Sequence, residues 1–133
     1  MTLDHAGLSV VDLDAAVGFY GRAFGFAEEF PFELPVDGIR GVMLRLPAGG
    51  RLELFERPGS SPGPAYGSPI EALATRGYGH VAVCAHDIEA LYERALAAGG
   101  AERVSPRPSP EPGVRFAFLA DLEGNLVELV ERP

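Results

Sequence analysis

The sequence predicts an α+β fold of two tandem βαβββ modules. Three observations lead there. The chain aligns with itself at one fixed offset, each copy changes its hydrophobic period in the same order, and turn residues separate the same elements in both copies. The offset is the most telling, because self-similarity at a fixed period marks a duplicated structural unit. His5-Ala6-Gly7-Leu8-Ser9-Val10-Val11-Asp12-Leu13-Asp14-Ala15 aligns with His80-Val81-Ala82-Val83-Cys84-Ala85-His86-Asp87-Ile88-Glu89-Ala90 at an offset of 75 residues. Arg51-Leu52-Glu53-Leu54-Phe55-Glu56-Arg57-Pro58 aligns with Leu126-Val127-Glu128-Leu129-Val130-Glu131-Arg132-Pro133 at the same offset of 75. Residues 3–58 and 78–133 therefore read as two copies of one unit.

Residues 3–11 alternate as a half-buried strand does. Asp12 supplies an N-cap oxygen, and Ala15, Ala16, Phe19, Tyr20 and Ala23 form a helical apolar stripe. Gly25 ends that helix as a glycine in the left-handed region would. Strand-like runs follow near 27–33, 40–46 and 50–56. The second copy repeats the order: a strand at 78–85, Asp87 as cap, a helix at 87–98 and Gly99-Gly100 as its stop. Strands near 101–105, 114–120 and 125–131 complete it. Residues 59–77 are a linker rich in Gly and Pro, with a short helix expected at 69–76 after Pro69.

The 133 residues suit a single domain, 1–133, with enough chain to bury a core. A net charge of −8 disfavours nucleic acid and anionic membrane surfaces, where basic side chains supply most of the attraction. No apolar run approaches the roughly 18 residues that span a bilayer. The N-terminus has neither a basic nor an apolar leader pattern, and the single cysteine, Cys84, cannot form an intrachain disulfide. A cytoplasmic protein is expected. Cys84 is expected to be a buried, inert thiol, and His86 to lie in an exposed turn.

Strand side chains alternate between faces. Ala6, Leu8, Val10, Leu52 and Leu54 suit the helix-covered face, which leaves His5, Gly7, Ser9, Glu53 and Phe55 on the other. In the second copy Val81, Val83, Val127 and Leu129 face the helix, while His80, Ala82, Cys84, Glu128 and Val130 face away. Either histidine or either glutamate alone would read as an ordinary strand residue. Their duplication suggests one site, and two imidazoles with two carboxylates suit one divalent ion such as Zn, Ni, Co, Mn or Fe.

These features together resemble the vicinal oxygen chelate superfamily, which includes glyoxalase I, methylmalonyl-CoA epimerase, extradiol dioxygenases and fosfomycin- and bleomycin-resistance proteins. The residues that carry the resemblance are His5, Val11-Asp12-Leu13, Phe19-Tyr20, Phe24-Gly25-Phe26, Glu53, His80, Asp87 and Asp121-Leu122-Glu123-Gly124-Asn125 leading to Glu128. The resemblance implies two βαβββ modules whose sheets curl into an open cup around a metal. The order His, Glu, His, Glu is similar to metal-dependent glyoxalase I.

By that resemblance the chemistry is proton transfer beside a carbonyl, a lyase or isomerase step, with Glu128 or Glu53 as general base and the histidines holding the ion. Short bacterial glyoxalases I place an arginine where this chain has Ser9 and an asparagine where it has Arg57, so activity without glutathione is expected. Met43, Arg45, Phe55, Phe116 and Phe118, with Arg115, are the candidate substrate-binding residues for a small, partly apolar and anionic molecule. The alternatives are a drug- or metabolite-sequestering resistance protein without catalysis, or a dioxygenase of the same superfamily. Unpaired sheet edges predict a homodimer.

Overall fold

The computed structural model describes all 133 residues, which divide into two compact units, Met1–Gly63 and Pro64–Pro133. The division falls inside the segment read as a linker, and the rest of that segment belongs to the second unit. The first unit contains β1 (Ala6–Val10), α1 (Leu13–Phe24), β2 (Ala27–Glu33), β3 (Arg40–Arg45) and β4 (Arg51–Glu56). The second contains a short α2 (Pro69–Ala72), then β5 (His80–Ala85), α3 (Ile88–Ala97), β6 (Ala101–Pro108), β7 (Arg115–Ala120) and β8 (Leu126–Glu131). Each unit is a βαβββ module with its own four-stranded mixed sheet, of order β1-β4-β3-β2 in the first and β5-β8-β7-β6 in the second. No helix is long and apolar enough to cross a membrane.

Both long helices start the same way. Asp12 accepts a hydrogen bond from the Ala15 amide at 2.9 Å, and Asp87 accepts one from Ala90 at 3.0 Å. A second acceptor comes from the sheet. Glu56 takes the Leu13 amide at 2.8 Å, and Glu131 takes the Ile88 amide at 2.9 Å. The first amides of a helix lack intrahelical partners, so two carboxylates at each N-terminus satisfy donors that would otherwise stand orphaned. Gly25 closes α1 at φ 80°, a conformation that costs a glycine nothing.

The cores lie between helix and sheet. Phe19, Tyr20 and Ala23 of α1 are buried with Leu44, Leu52 and Leu54. In the second unit Ile88, Tyr92 and Ala95 are buried with Leu119, Val127 and Leu129. Each fully buried Leu, Ile, Val or Phe side chain contributes about 1.5–3 kcal/mol, so these faces fix the strand registers. The registers follow the expected parity: Gly7 lies opposite Glu53 and Leu8 opposite Leu54, while Ala82 lies opposite Glu128 and Val83 opposite Leu129. Most boundaries lie within two residues of the sequence reading, and three differ by more. β1 begins after His5 rather than before it, α2 stops at Ala72, and β6 runs on to Pro108.

Candidate metal centre

In the first unit His5 sits one residue before β1, and Glu53 is in the middle of β4 on the face away from α1. His5 Nε2 lies 3.2 Å from Glu53 Oε2. The other ring nitrogen, Nδ1, lies 2.7 Å from Asp4 Oδ2. That bond to Asp4, together with the charge of Glu53, raises the His5 pKa above its ordinary value. Asp4 is in turn 3.5 Å from a guanidinium nitrogen of Arg51. Arg51 is clamped by Glu29 through two hydrogen bonds of 2.8 Å, and these hold Glu29 below the usual carboxylate range. Glu29 also accepts a longer bond, 3.5 Å, from Arg45.

The same face carries an aromatic group. Phe32 meets Phe30 with ring centroids 6.1 Å apart and Phe55 at 5.5 Å. Gly41 makes room for it: a Cβ at Gly41 would come within 2.3 Å of the Phe32 ring. Met43, opposite Glu53 in the register, is buried.

The second unit repeats the pair in other surroundings. His80 Nε2 lies 3.1 Å from Glu128 Oε2, and no carboxylate precedes the histidine, since position 79 is glycine. The imidazole instead stands edge to face on Phe118, centroids 5.1 Å apart. Phe118 is opposite Glu128 in the register and packs with Leu126 and Ala72, flanked by Tyr66, Val104 and Phe116. α2 and the chain before it thus cover part of this sheet face. Asp121, buried in the turn before β8, accepts from the Glu123 and Asn125 amides at 2.9 Å each, which fixes where β8 and therefore Glu128 begins.

Arg45, Met43 and Phe55 lie on the face of Glu53, and Phe116 and Phe118 on the face of Glu128. Arg115 does not join them. Adjacent strand residues point to opposite faces, so Arg115 shares the helix side with Glu131 and forms ion pairs with Glu89 of α3 and with Glu131. Cys84 is exposed rather than buried, because its parity places it on the open face of an edge strand. His86 is exposed in the bend after β5. Arg57 is engaged by Asp37 at 2.6 Å, and Ser9 is exposed opposite Phe55.

Asp4, Glu29, Arg51, Phe30 and Phe32 were missed in the sequence. Parity alone puts Arg51 on the Glu53 face, so that signal was available. The lengths of the side chains that link Glu29, Arg51 and Asp4 were not.

Two ligand atoms about 2.1 Å from one ion, at angles of about 90–110°, lie about 3.0–3.4 Å apart. The N–O separations of 3.2 and 3.1 Å fall in that interval, so each pair could serve as two adjacent ligands with little movement. The glutamate side chains are 20% and 22% exposed and the histidines 35% and 40%, which leaves all four reachable. No group of three or more His, Cys, Asp or Glu side chains able to hold an ion is formed in the structure. Each unit supplies one His–Glu pair.

Two tandem βαβββ modules, each with one His–Glu contact on its open face, define a class of protein built by duplication. The chain belongs to the Glyoxalase/Bleomycin resistance protein/Dioxygenase superfamily, whose family model matches residues 2–129. It is 25% identical over 138 residues to a probable lactoylglutathione lyase of Vibrio cholerae, covering 96% of this chain and 88% of that one. It is 27% identical over 128 residues to a lactoylglutathione lyase of Arabidopsis thaliana, with 96% of this chain covered. The chain spans less than half, 43%, of the Arabidopsis protein. A glyoxalase family protein of Enterococcus faecalis has the same fold at 24% identity, with a TM-score of 0.77 and coverage of 98% and 97% of the two chains.

Proposed function

We propose that the protein is a metal-dependent enzyme of glyoxalase type, which moves a proton on a small carbonyl compound without using glutathione. The observation that supports this reading is the repeated His–Glu contact, 3.2 Å for His5–Glu53 and 3.1 Å for His80–Glu128, at one offset in the sequence. In this proposal the four side chains share one divalent ion, Zn, Ni, Co, Mn or Fe. A bound ion would supply Lewis-acid polarisation of the substrate's carbonyl oxygen. His5 and His80 hold it and take no part in proton transfer.

Glu128 is the general base. It accepts the proton from the carbon beside the carbonyl and returns it to the neighbouring carbon, and Glu53 is the alternative for this role. Met43 and Phe55 of the first module and Phe116 and Phe118 of the second would bind the apolar body of the substrate. Arg45, more than half exposed and bonded only at 3.5 Å to Glu29, would take an anionic group. Ser9 and Arg57 stand where glutathione-dependent relatives are expected to carry Arg and Asn, which supports a substrate other than a glutathione adduct. Arg57 is in any case occupied by Asp37. A homodimer is part of the proposal, because β1 and β2 in one sheet, and β5 and β6 in the other, keep an unpaired edge. Light scattering at micromolar concentration should give twice the chain mass.

Solvent deuterium exchange into α-hydroxycarbonyl and acyl-thioester compounds, with Ni, Co, Mn or Zn added, tests the activity. Exchange abolished by a chelator and restored by metal is the expected result. Tight binding of small molecules with no exchange across the panel would favour a sequestering protein.

A further inference from the structure

We infer that Asp4, braced by Arg51 and Glu29, is a positioning residue that fixes the orientation and tautomer of His5. The inference rests on the proposed metal role of His5 only for its consequence, not for the geometry itself. An imidazole presents a lone pair at one nitrogen when its proton sits on the other, and a carboxylate bonded to Nδ1 selects the form with a free Nε2. Two carboxylates compete for the single proton of the neutral ring, and the 2.7 Å contact of Nδ1 with Asp4 Oδ2, shorter than the 3.2 Å from Nε2 to Glu53 Oε2, places it on Nδ1.

Asp4 is 68% exposed and would not hold a ring in place unaided. It is braced from the sheet. Arg51 projects from β4 on the face of Glu53, reaches Asp4 at 3.5 Å, and is itself fixed by the two-point bond to Glu29 of β2. The planar guanidinium suits this bridging role because its donors diverge in a rigid fork. The chain Glu29–Arg51–Asp4–His5 thus ties a ligand lying outside any strand to two strands of the sheet. The positions 75 residues on are Val104, Leu126, Gly79 and His80, so nothing equivalent orients His80.

The test is made on full-length, metal-free protein by long-range nitrogen–proton NMR of the imidazoles, at a pH where the rings are neutral. With three histidines in the chain, single His→Gln variants assign every signal. His5 should carry its proton on Nδ1 in the wild type, lose that preference in Asp4→Ala and Arg51→Ala, and regain most of it in Asp4→Asn. His80 should not change.

Calorimetry with Ni or Zn alone should then show affinity about 10–100-fold weaker in Asp4→Ala. A wild-type His5 protonated on Nε2, or one unmoved by Asp4→Ala, overturns the inference. So does equal metal affinity in wild type and Asp4→Ala. If His5 responds as described but the wild type takes up no metal, the positioning role stands and the proposed metal function falls.

Discussion

The two modules surround the same His–Glu pair with different polar neighbours. Around His5 and Glu53 stand Asp4, Glu29, Arg45 and Arg51, joined by hydrogen bonds and ion pairs. The residues 75 positions on are Gly79, Val104, Ala120 and Leu126, all uncharged. Two of them, Val104 and Leu126, belong to the apolar group around Phe118. Met43 likewise gives way to Phe118, and Gly41 to Phe116. Duplication kept the His–Glu pair and changed what surrounds it. The first module restrains its histidine through a charged network, while the second sets His80 edge to face on Phe118, with its pair no less exposed than that of the first. A restrained half suits anchoring an ion. Under the proposed function, the half without such a network suits a carboxylate that moves, which favours Glu128 over Glu53 as the base.

The largest expected effect breaks the symmetry of the two glutamates. Glu128→Gln should lower turnover by ~10²–10⁴ while metal is still bound, the usual range for loss of a general base. Glu53→Gln should act chiefly on metal affinity. Steady-state kinetics at saturating metal separate the two, and equal losses of turnover in both variants would contradict the division.

Next comes packing. Phe118→Ala should cost about 3–5 kcal/mol of stability, because a buried ring on the His80 side is lost. Phe55→Ala, at a half-buried position of the first module, should cost less. Urea unfolding measures both, and the order should hold even if the magnitudes shift.

Little change is expected from Gly79→Asp, which puts a carboxylate before His80 without braces like Arg51 and Glu29, since positions 126 and 104 are Leu and Val. A Cβ there meets nothing within 4 Å and the backbone is not left-handed, so the substitution is tolerated. Metal affinity should stay close to that of the wild type, against the loss of about 10–100-fold expected for Asp4→Ala. Titration calorimetry reads this, and a clear gain from Gly79→Asp would show that an unbraced carboxylate is enough.

The smallest effects concern the helix starts, where the modules are alike. Asp12→Ala and Asp87→Ala should each cost about 0.5–2 kcal/mol. Glu56 adds a pH dependence. The Leu13 amide first, and Arg40 second, hold its folded pKa below the ordinary 4.5. Its stabilisation is therefore complete above 4.5 and is lost as the pH falls through the depressed folded value. Denaturation midpoints should fall less between pH 7 and acid in Glu56→Gln than in the wild type.

Most of the fold was legible because repetition and parity are backbone properties. The 75-residue offset located both modules, and alternation assigned each ligand to the open face. Arg115 lies on the helix side because the alternation that puts Phe116 on the open face turns its neighbour the other way. Cys84 had the right parity, but its exposure depends on β5 lying at a sheet edge. The Glu29–Arg51–Asp4 network lay beyond reach for another reason. It joins three segments distant in sequence through long side chains, and no period encodes their meeting. It shows instead in the differences between the copies, where charged residues of one module correspond in sequence to uncharged residues of the other.

The proposed function has His5, Glu53, His80 and Glu128 serve one ion. Equilibrium dialysis of the full chain against Ni or Zn, with metal counted per chain, addresses it most directly. The account expects one ion per chain, lost both in His5→Ala/Glu53→Ala and in His80→Ala/Glu128→Ala. Two ions per chain, or one that survives removal of either pair, would show that the pairs act separately and contradict it.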